Sequence, residues 1–267
     1  MPPCAIRSQT RMVHSGFGNS FMKASAFLFR YRMVINMVII VLGFWAPWIQ
    51  YAGIGSRILL LEWLALEIAR TGLLSFTVAT PTVIVIGSFV AGLGAVLRIW
   101  GAAWLGHGVV FDGKMQAGAL TADGPFRYVR NPLYLGLGCM FAALALIMPA
   151  TGALFVLLVA PVFLFALIRG EEAFLTAQFG ELYRRYLLAV PRLIPRLRTT
   201  IQPSGNKPHW LQGVLSEINP IGVFVTIAFL TWTYDTQLMW RAIAITFGLS
   251  LVVRAFMPGL KQAAKPE

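Results

Sequence analysis

The sequence predicts an all-α protein, a polytopic membrane helical bundle of about six transmembrane helices with one interfacial amphipathic helix. Three observations support this prediction. Hydrophobic residues make up 58% of the chain and charged residues only 12%, whereas soluble domains carry about 25% charged residues. Several apolar stretches approach or exceed the roughly 17 to 20 residues that one membrane crossing needs. Basic residues are concentrated in a few regions between these stretches.

The apolar stretches define six candidate spans and one segment of a different kind. Segment 57–76 is apolar but carries Glu62, Glu67 and Arg70, so we expect it to lie at the interface or to insert only partly. The last two spans are separated by a polar turn at 234–237. The candidate spans are 33–51, 80–104, 134–148, 151–168, 220–234 and 238–257.

The distribution of Lys and Arg predicts that both chain ends are cytoplasmic. Basic residues dominate the first 32 residues, which contain no acid, and they recur after the fourth span and near the C-terminus. Cytoplasmic loops are rich in Lys and Arg, and six spans place all three basic regions on one side. A transit peptide is the alternative for the N-terminal arm, but no small-residue cleavage site follows the next apolar stretch.

The net charge of +12 is explained by this topology and by attraction to anionic lipid headgroups. The sequence offers no soluble basic surface large enough for nucleic acid, so membrane lipids are the expected partners. Cys4 and Cys139 are the only cysteines, which excludes a disulfide framework. No metal site is predicted.

The chain divides into five consecutive regions. The last region, 220–267, holds a helical hairpin and a tail, and we expect it to serve packing or to form a homodimer. The others are a basic arm at 1–32, an N-terminal transmembrane portion at 33–104, a core at 105–196 and a linker at 197–219 that contains Pro, Ser, Gly and Asn.

Two polar motifs flank a long apolar run in the core region. Residues 135–168 contain no charged residue. The length of this run is about enough for two membrane crossings in a tight hairpin. The segment 148–152 contains Pro and Gly, which favour a break in the helix. A returning chain would place both motifs on one membrane face, so the sequence predicts a single polar site. Its members are Arg130, Asn131 and Tyr134 before the run, and Arg169, Glu171 and Glu172 after it.

An amphipathic helix is predicted directly after the second motif. Leu175, Phe179, Leu182 and Tyr186 recur at intervals of four, three and four residues, which is typical of one helix face. This helix would lie along the cytoplasmic interface and cover the polar end of the hairpin. The two glutamates of the second motif would stand in its first turn, so a capping role beside the helix dipole is the alternative to a functional one.

The first motif also has a purely structural explanation, as an alternative to a functional one. Basic and aromatic residues before a span commonly anchor it at the interface, and Pro132 would start a helix well. Gly136 and Gly138 could serve close helix packing. Each feature alone is weak, whereas their order and spacing together favour a functional site.

Taken together, these motifs resemble the isoprenylcysteine carboxyl methyltransferase family. The matching stretches run from Ala95 to Gly106, from Gly124 to Gly136 and from Glu171 to Pro195, in the same order as in that family. The family belongs to a wider group that includes phospholipid N-methyltransferases. The resemblance covers about 95–196 and implies an integral membrane methyltransferase that uses S-adenosyl-L-methionine without a soluble Rossmann domain.

The resemblance also implies which residues hold the cofactor. In the carboxyl methyltransferases an Arg-His-Pro-x-Tyr segment and its preceding loop wrap the cofactor, and in the phospholipid branch a Gly-x-Gly and a Glu-Glu pair are assigned to it. This chain has Asn131 at the His position, and Asn cannot titrate near neutrality, which affects the acceptor more than the cofactor. The positions carried over are Leu120, Thr121, Phe126, Asn131, Pro132, Leu133 and Tyr134 from the first pattern and Gly136, Gly138, Glu171 and Glu172 from the second.

The resemblance further implies a hydrophobic, lipid-like or prenylated methyl acceptor. A carboxylate acceptor is already ionised at neutral pH and needs orientation, which Arg provides through its planar fork. Arg169 is the first candidate for this role, Arg130 the second and Arg98 the third. An amine acceptor would instead need a base to remove a proton, and Glu172 or Tyr134 would serve.

Two other classes of protein compete with this interpretation. Sterol reductases share a related C-terminal pattern and use NADPH, but they are usually longer and have more spans. A non-catalytic membrane protein that kept the cofactor site is disfavoured by the intact Asn131-Pro132 and Glu171-Glu172 elements.

Arg98 lies within a predicted span, and charged residues inside a membrane usually serve function. The alternative for Arg98 is that its side chain snorkels to the interface.

Overall fold

The regular secondary structure of the described residues is helical. These residues form helices and no β-strand, and one isolated bridge joins Leu59 to Pro149. This confirms the predicted all-α class. A computed structural model describes residues 26–45, 58–105, 122–203, 206–233, 238, 241–242 and 245–253.

Eight α-helices and one 3₁₀ helix have defined bounds within these residues, and residues 26–30 and 245–253 are helical as well. The bounded helices are α1 (Arg32–Trp45), α2 (Leu60–Arg70), α3 (Phe76–Leu105), η1 (Gly124–Arg127), α4 (Pro132–Ala145), α5 (Ala150–Phe179), α6 (Glu181–Ala189), α7 (Trp210–Ser216) and α8 (Ile218–Thr233).

Two of these helices, α3 and α5, are long and apolar enough to cross a membrane. Each has 30 residues and is therefore about 45 Å long at the usual helical rise. Helices α7 and α8 would form a third span if their 67° bend is a break within one span. Helices α1 and α4 are apolar but have only 14 residues each. The apolar helices indicate a membrane protein, while six spans, both ends cytoplasmic and a homodimer through 220–267 stay predictions.

The segment predicted to lie at the interface contains α2, which has 11 residues and is too short to cross a membrane alone. Its N-terminal end is tied to the turn between α4 and α5. The amide of Leu60 donates to the carbonyl of Met148, and that of Leu61 to the carbonyl of Leu146, both at 2.9 Å.

Helices α4 and α5 form the predicted hairpin. Leu146, Ile147 and Met148 each donate a backbone hydrogen bond to the carbonyl three residues earlier, so α4 ends in a tight 3₁₀-type turn. Just beyond the turn, a Cβ on Gly152 would overlap the carbonyl oxygen of Gly43. The absence of a side chain at Gly152 lets α1 pack directly on the start of α5.

Helix α4 lies between α3 and α5, and its two faces differ. On one face, a Cβ on Gly136 would lie 2.7 Å from the carbonyl oxygen of Gly94 in α3. On the other face, the one described side chain that a Cβ on Gly138 would meet is Leu164 of α5, at 3.9 Å. The contact with α3 is therefore backbone to backbone, whereas the contact with α5 is made by side chains.

The segment predicted to be a linker contains α7, which packs on α3. The amide of His209 donates to the carbonyl of Ala103 at 2.8 Å, and a Cβ on Gly213 would lie 2.9 Å from the carbonyl oxygen of Ile99. Helix α8 then continues along α3 and also reaches α4. The C-terminal helices are thus docked on the same helix that supports the first turn of α4.

Candidate active site

Polar side chains from both sequence motifs meet at the open end of the α4–α5 hairpin. The hydroxyl of Tyr134 donates to Oε2 of Glu171 at 2.9 Å. The side-chain amide of Asn131 lies 3.5 Å from Oε1 of Glu172. The structure therefore brings together the two motifs that the sequence separates by a long apolar run.

Asn131 stands at the start of α4, where Pro132 takes the first helical position. Proline suits this position because its fixed φ matches the helix and its missing N–H would have no intrahelical partner. The Asn131 side chain does not cap the helix. It donates instead to the carbonyl of Arg192 at 3.2 Å and reaches Glu172, so it joins three segments of the chain.

Glu172 is enclosed by positively charged groups. Nη2 of Arg192 lies 2.7 Å from its Oε2, and Nε of Arg192 donates to both carboxylate oxygens at 3.1 and 3.2 Å. Nη1 of Arg130 lies 3.5 Å from Oε1. The Glu172 side chain is only 8% exposed, and a buried carboxylate needs partners of this kind. We call Glu172, Arg130, Arg192 and Asn131 the Glu172 cluster.

The sequence prediction missed Arg192. This residue follows α6 in a segment bounded by Pro191 and Pro195, and the only signal for it was its place in the last stretch of the family resemblance. Its hydrogen bond to the Glu172 carboxylate raises the pKa of Arg192 above the usual value. Arg192 therefore stays charged at every physiological pH.

The loop before α4 and the segment after α6 are joined by backbone hydrogen bonds. The amide of Arg130 donates to the carbonyl of Pro191 at 2.9 Å, and the amide of Arg196 donates to the carbonyl of Tyr128 at 3.0 Å. These two bonds hold the Arg192 side chain beside Glu172. The cluster thus depends on chain segments that are about sixty residues apart.

The expected helix after the second motif differs from the observed one. Glu171 and Glu172 lie inside α5, and not in the first turn of a new helix, so the capping explanation for them is wrong. Helix α6 begins after Gly180, whose φ of +55° is a conformation that favours glycine. Because of this break Leu182, which was expected on the apolar face, is exposed at 60%.

The buried face of α6 carries Tyr183 and Tyr186. The hydroxyl of Tyr186 donates to the carbonyl of Phe126 at 2.8 Å, so α6 supports the 3₁₀ turn in which Phe126 is buried. Burial raises the pKa of both tyrosines. Their hydroxyls therefore remain protonated and able to donate at physiological pH.

The remaining predicted residues fall in different places. Pro132 is buried at the start of α4, Gly136 faces α3 and Gly138 faces α5. Leu120 and Thr121 lie outside the described residues.

The three arginines proposed to orient a carboxylate have different environments. Arg169 is exposed on α5, and among the described residues it forms no hydrogen bond or ion pair. Arg130 belongs to the Glu172 cluster. Arg98 is held by Glu217, with Nε 2.6 Å from Oε2 and Nη2 3.0 Å from Oε1. Arg98 thus has a buried partner within the protein, which argues against snorkelling.

The Tyr134–Glu171 pair and Arg130 fit the chemistry of S-adenosyl-L-methionine. Within the described residues, the Glu171 carboxylate accepts one side-chain hydrogen bond, so it has oxygen lone pairs left for a cation such as an ammonium or a sulfonium. Nε of Arg130 is buried and has no hydrogen-bond partner there. A guanidinium N–H in this situation suits a carboxylate, and the amino acid end of the cofactor carries one.

Comparison with known proteins supports the same chemistry. Residues 82–182 match the family model described as phospholipid methyltransferase, a region that holds both motifs and the α4–α5 hairpin. This confirms the resemblance at the level of the wider group of phospholipid methyltransferase-like membrane proteins. Together with the apolar helices, the match indicates a membrane methyltransferase. No curated protein and no solved structure matches the chain.

Proposed function

We propose that the protein is an S-adenosyl-L-methionine-dependent methyltransferase whose acceptor is an amine on a lipid or a similarly hydrophobic molecule. The family match supports methyl transfer. The observation that carries the choice of an amine is the 2.9 Å hydrogen bond between Tyr134 and Glu171. This pair combines a hydroxyl with a carboxylate whose remaining oxygen lone pairs can accept from another partner, which is what an amine acceptor needs.

An amine acceptor must lose a proton when its nitrogen forms the new bond to carbon. The proton can pass to the Glu171 carboxylate directly, or through the Tyr134 hydroxyl as that hydroxyl gives its own proton to Glu171. Glu172 is the weaker candidate for this role because Arg192 and Arg130 already occupy its oxygens. The geometry therefore supports Glu171 as the base, and it supports a role for Glu172 in holding the site together.

Glu171, Tyr134 and Arg130 would hold the cofactor. When bound, the cofactor would supply an electrophilic methyl group on a sulfonium cation, whose methyl carbon–sulfur bond breaks and leaves a neutral thioether. The carboxylate of Glu171 would attract its positive groups, and Nε of Arg130 would donate to its carboxylate. Fixed partners of this kind orient the reactants, and orientation is a large part of the rate enhancement in group transfer.

A hydrophobic acceptor is supported by the surface of α5 beside the site. The guanidinium of Arg192 lies 5.4 Å from the ring centroid of Phe165, so Phe165 adjoins the Glu172 cluster. Phe165, Val162 and Leu158 are all exposed along α5, in a helix long and apolar enough to cross a membrane. Such an apolar surface is suited to lipid tails, which would bring a headgroup amine towards Glu171.

A carboxylate acceptor is the second candidate, and the observation that favours it is that Nε of Arg130 has no hydrogen-bond partner among the described residues. In that reaction Arg130 would orient the acceptor and no base would be needed. The same nitrogen can bind only one carboxylate well, either that of the cofactor or that of the acceptor. A measurement of the product therefore distinguishes the two reactions.

The test uses purified protein and cofactor with a labelled methyl group. One reaction contains phosphatidylethanolamine vesicles and the other a farnesylated cysteine analogue. We expect label in the phospholipid headgroup that mild base does not release as methanol, because N-methyl groups are stable whereas methyl esters hydrolyse. Base-labile label in the cysteine analogue would reject the amine in favour of the carboxylate. Calorimetry with the cofactor and with NADPH completes the test, and binding of NADPH alone would reject methyl transfer.

A further inference from the structure

We propose that Arg98 and Glu217 are positioning residues, which hold the first turn of α4 and so place the Tyr134 hydroxyl against Glu171. This inference rests on the proposed function and extends its site to the C-terminal helices. Glu217 connects α7 to α8 and lies outside the region that matches the family model.

The contact geometry joins three helices through one guanidinium. Arg98 of α3 binds Glu217 with two nitrogens, at 2.6 and 3.0 Å. Its third nitrogen, Nη1, donates to the carbonyl oxygen of Leu133 at 3.2 Å. The planar fork of Arg allows this arrangement, whereas the single ammonium of Lys cannot reach both partners in the same way.

The Arg98–Glu217 pair is buried, and a glycine on α4 lies beside the Arg98 side chain. The side chains of Arg98 and Glu217 are 15% and 1% exposed. A Cβ on Gly136 would lie 2.6 Å from Cγ of Arg98. The absence of a side chain at Gly136 therefore leaves space for the Arg98 side chain. The removal of two charges from water is costly. Apolar contacts would be enough if the pair served only to attach two helices to each other.

The link to Tyr134 is a single peptide unit. The Leu133 carbonyl that accepts from Arg98 belongs to the peptide bond that leads into Tyr134. When that carbonyl is fixed, the backbone of Tyr134 is fixed as well, and its hydroxyl stays 2.9 Å from Glu171. A shift of about 1 Å at a reacting group can lower a rate by about 10²-fold.

The central test is Arg98→Lys. This variant keeps a positive charge for Glu217 and loses the donor to Leu133. We expect a melting temperature close to that of the wild type and a kcat per folded molecule lowered by about 10- to 100-fold. A purely structural pair predicts the reverse, a lower melting temperature and a normal kcat for the folded fraction. That second pattern would overturn the proposal.

Glu217→Gln provides an independent variant. It removes the negative charge and one of the two oxygens that accept from Arg98, and is expected to lower both stability and kcat. The matched control is Glu67→Gln, which breaks the exposed Arg70–Glu67 pair of α2 at 2.7 Å and should change neither quantity. A kcat per folded molecule in Glu217→Gln equal to that of the control would also overturn the proposal.

A readout without activity separates this proposal from the proposed function. Cys139 on α4 packs against Gly94 of α3, and Cys4→Ser leaves it as the only thiol. Its rate of maleimide labelling reports the position of α4 on α3. If the wild type methylates no acceptor, the proposed function is wrong, and an altered labelling rate in Arg98→Lys would still support the positioning role. An unchanged rate would overturn it.

Discussion

The two faces of α4 use charge in different ways. Towards α5, Tyr134 meets Glu171 in one hydrogen bond, and the carboxylate keeps capacity for a further partner. Towards α3, Arg98 uses three nitrogens on Glu217 and on the backbone of α4, and Gly136 lies close to its side chain. In the proposed function the first face binds the reactants and takes up the proton, and in the proposed positioning role the second face holds the first in place.

The adjacent glutamates Glu171 and Glu172 show the same division within one helix. Glu172 is bound by Arg192, Arg130 and Asn131, whereas Glu171 is bound by Tyr134. Successive residues on a helix point about 100° apart, so neighbours in sequence can serve different surroundings. Two residues that are identical in chemistry therefore differ in role because of what each side chain faces.

The largest effect on stability is expected from Glu172→Gln. Removal of this charge leaves Arg130 buried beside a neutral amide and should lower the free energy of unfolding by about 3 kcal/mol, the low end for a buried pair. Thermal unfolding in detergent measures it. Glu181→Gln, which breaks an exposed pair with Arg185 at 3.7 Å, is the control and should show no measurable change. Equal melting temperatures for the two variants would show that the Glu172 cluster is not structural.

Tyr134→Phe should have the largest effect on rate relative to its effect on stability. It removes the hydroxyl that donates to Glu171 and should lower kcat by about 10²-fold, with a loss of stability of about 1 kcal/mol. Initial rates with labelled cofactor measure the first and thermal unfolding the second. Tyr31→Phe, the same change on an exposed ring, controls for the substitution. Full activity in Tyr134→Phe would remove this hydroxyl from the mechanism.

Gly136→Ala and Gly138→Ala compare the two faces of α4 with the same substitution. A methyl group on Gly136 would collide with Arg98 and with the backbone of Gly94, and should destabilise the protein by about 1–3 kcal/mol. On Gly138 it would meet Leu164 at 3.9 Å, and alanine should be neutral or stabilise the helix by up to about 1 kcal/mol. Melting temperatures measure the difference. Equal losses of cofactor affinity in both variants would instead support cofactor roles for both glycines.

The smallest effect is expected from Arg169→Gln. The side chain is exposed, and exposed substitutions usually change stability by less than about 0.5 kcal/mol. Methylation of an amine should proceed at nearly the wild-type rate, because the residue lies outside the Glu172 cluster and the Tyr134–Glu171 pair. A large rise in KM for a carboxylate acceptor would return Arg169 to the role that the sequence suggested.

Much of this architecture could be predicted from the sequence. The break at 148–152 and the uncharged run around it predict a hairpin that brings Tyr134 near Glu171, and the structure shows their hydrogen bond. Periodicity was less informative beyond the hairpin. The apolar spacing from Leu175 to Tyr186 suggested one helix, but the positive φ of Gly180 divides it, and a local pattern does not reveal such a break.

The sequence alone determined the helical class, the apolar hairpin and the two motifs that end at its mouth, because helix length and hydrophobicity are local properties of the chain. Tertiary structure decided which charges pair. Arg192 approaches Glu172 only because backbone hydrogen bonds join its segment to the loop before α4. Glu217 reaches Arg98 only because α7 docks on α3. These pairings depend on how distant helices pack, and sequence spacing does not specify the distance between residues that are far apart in the chain.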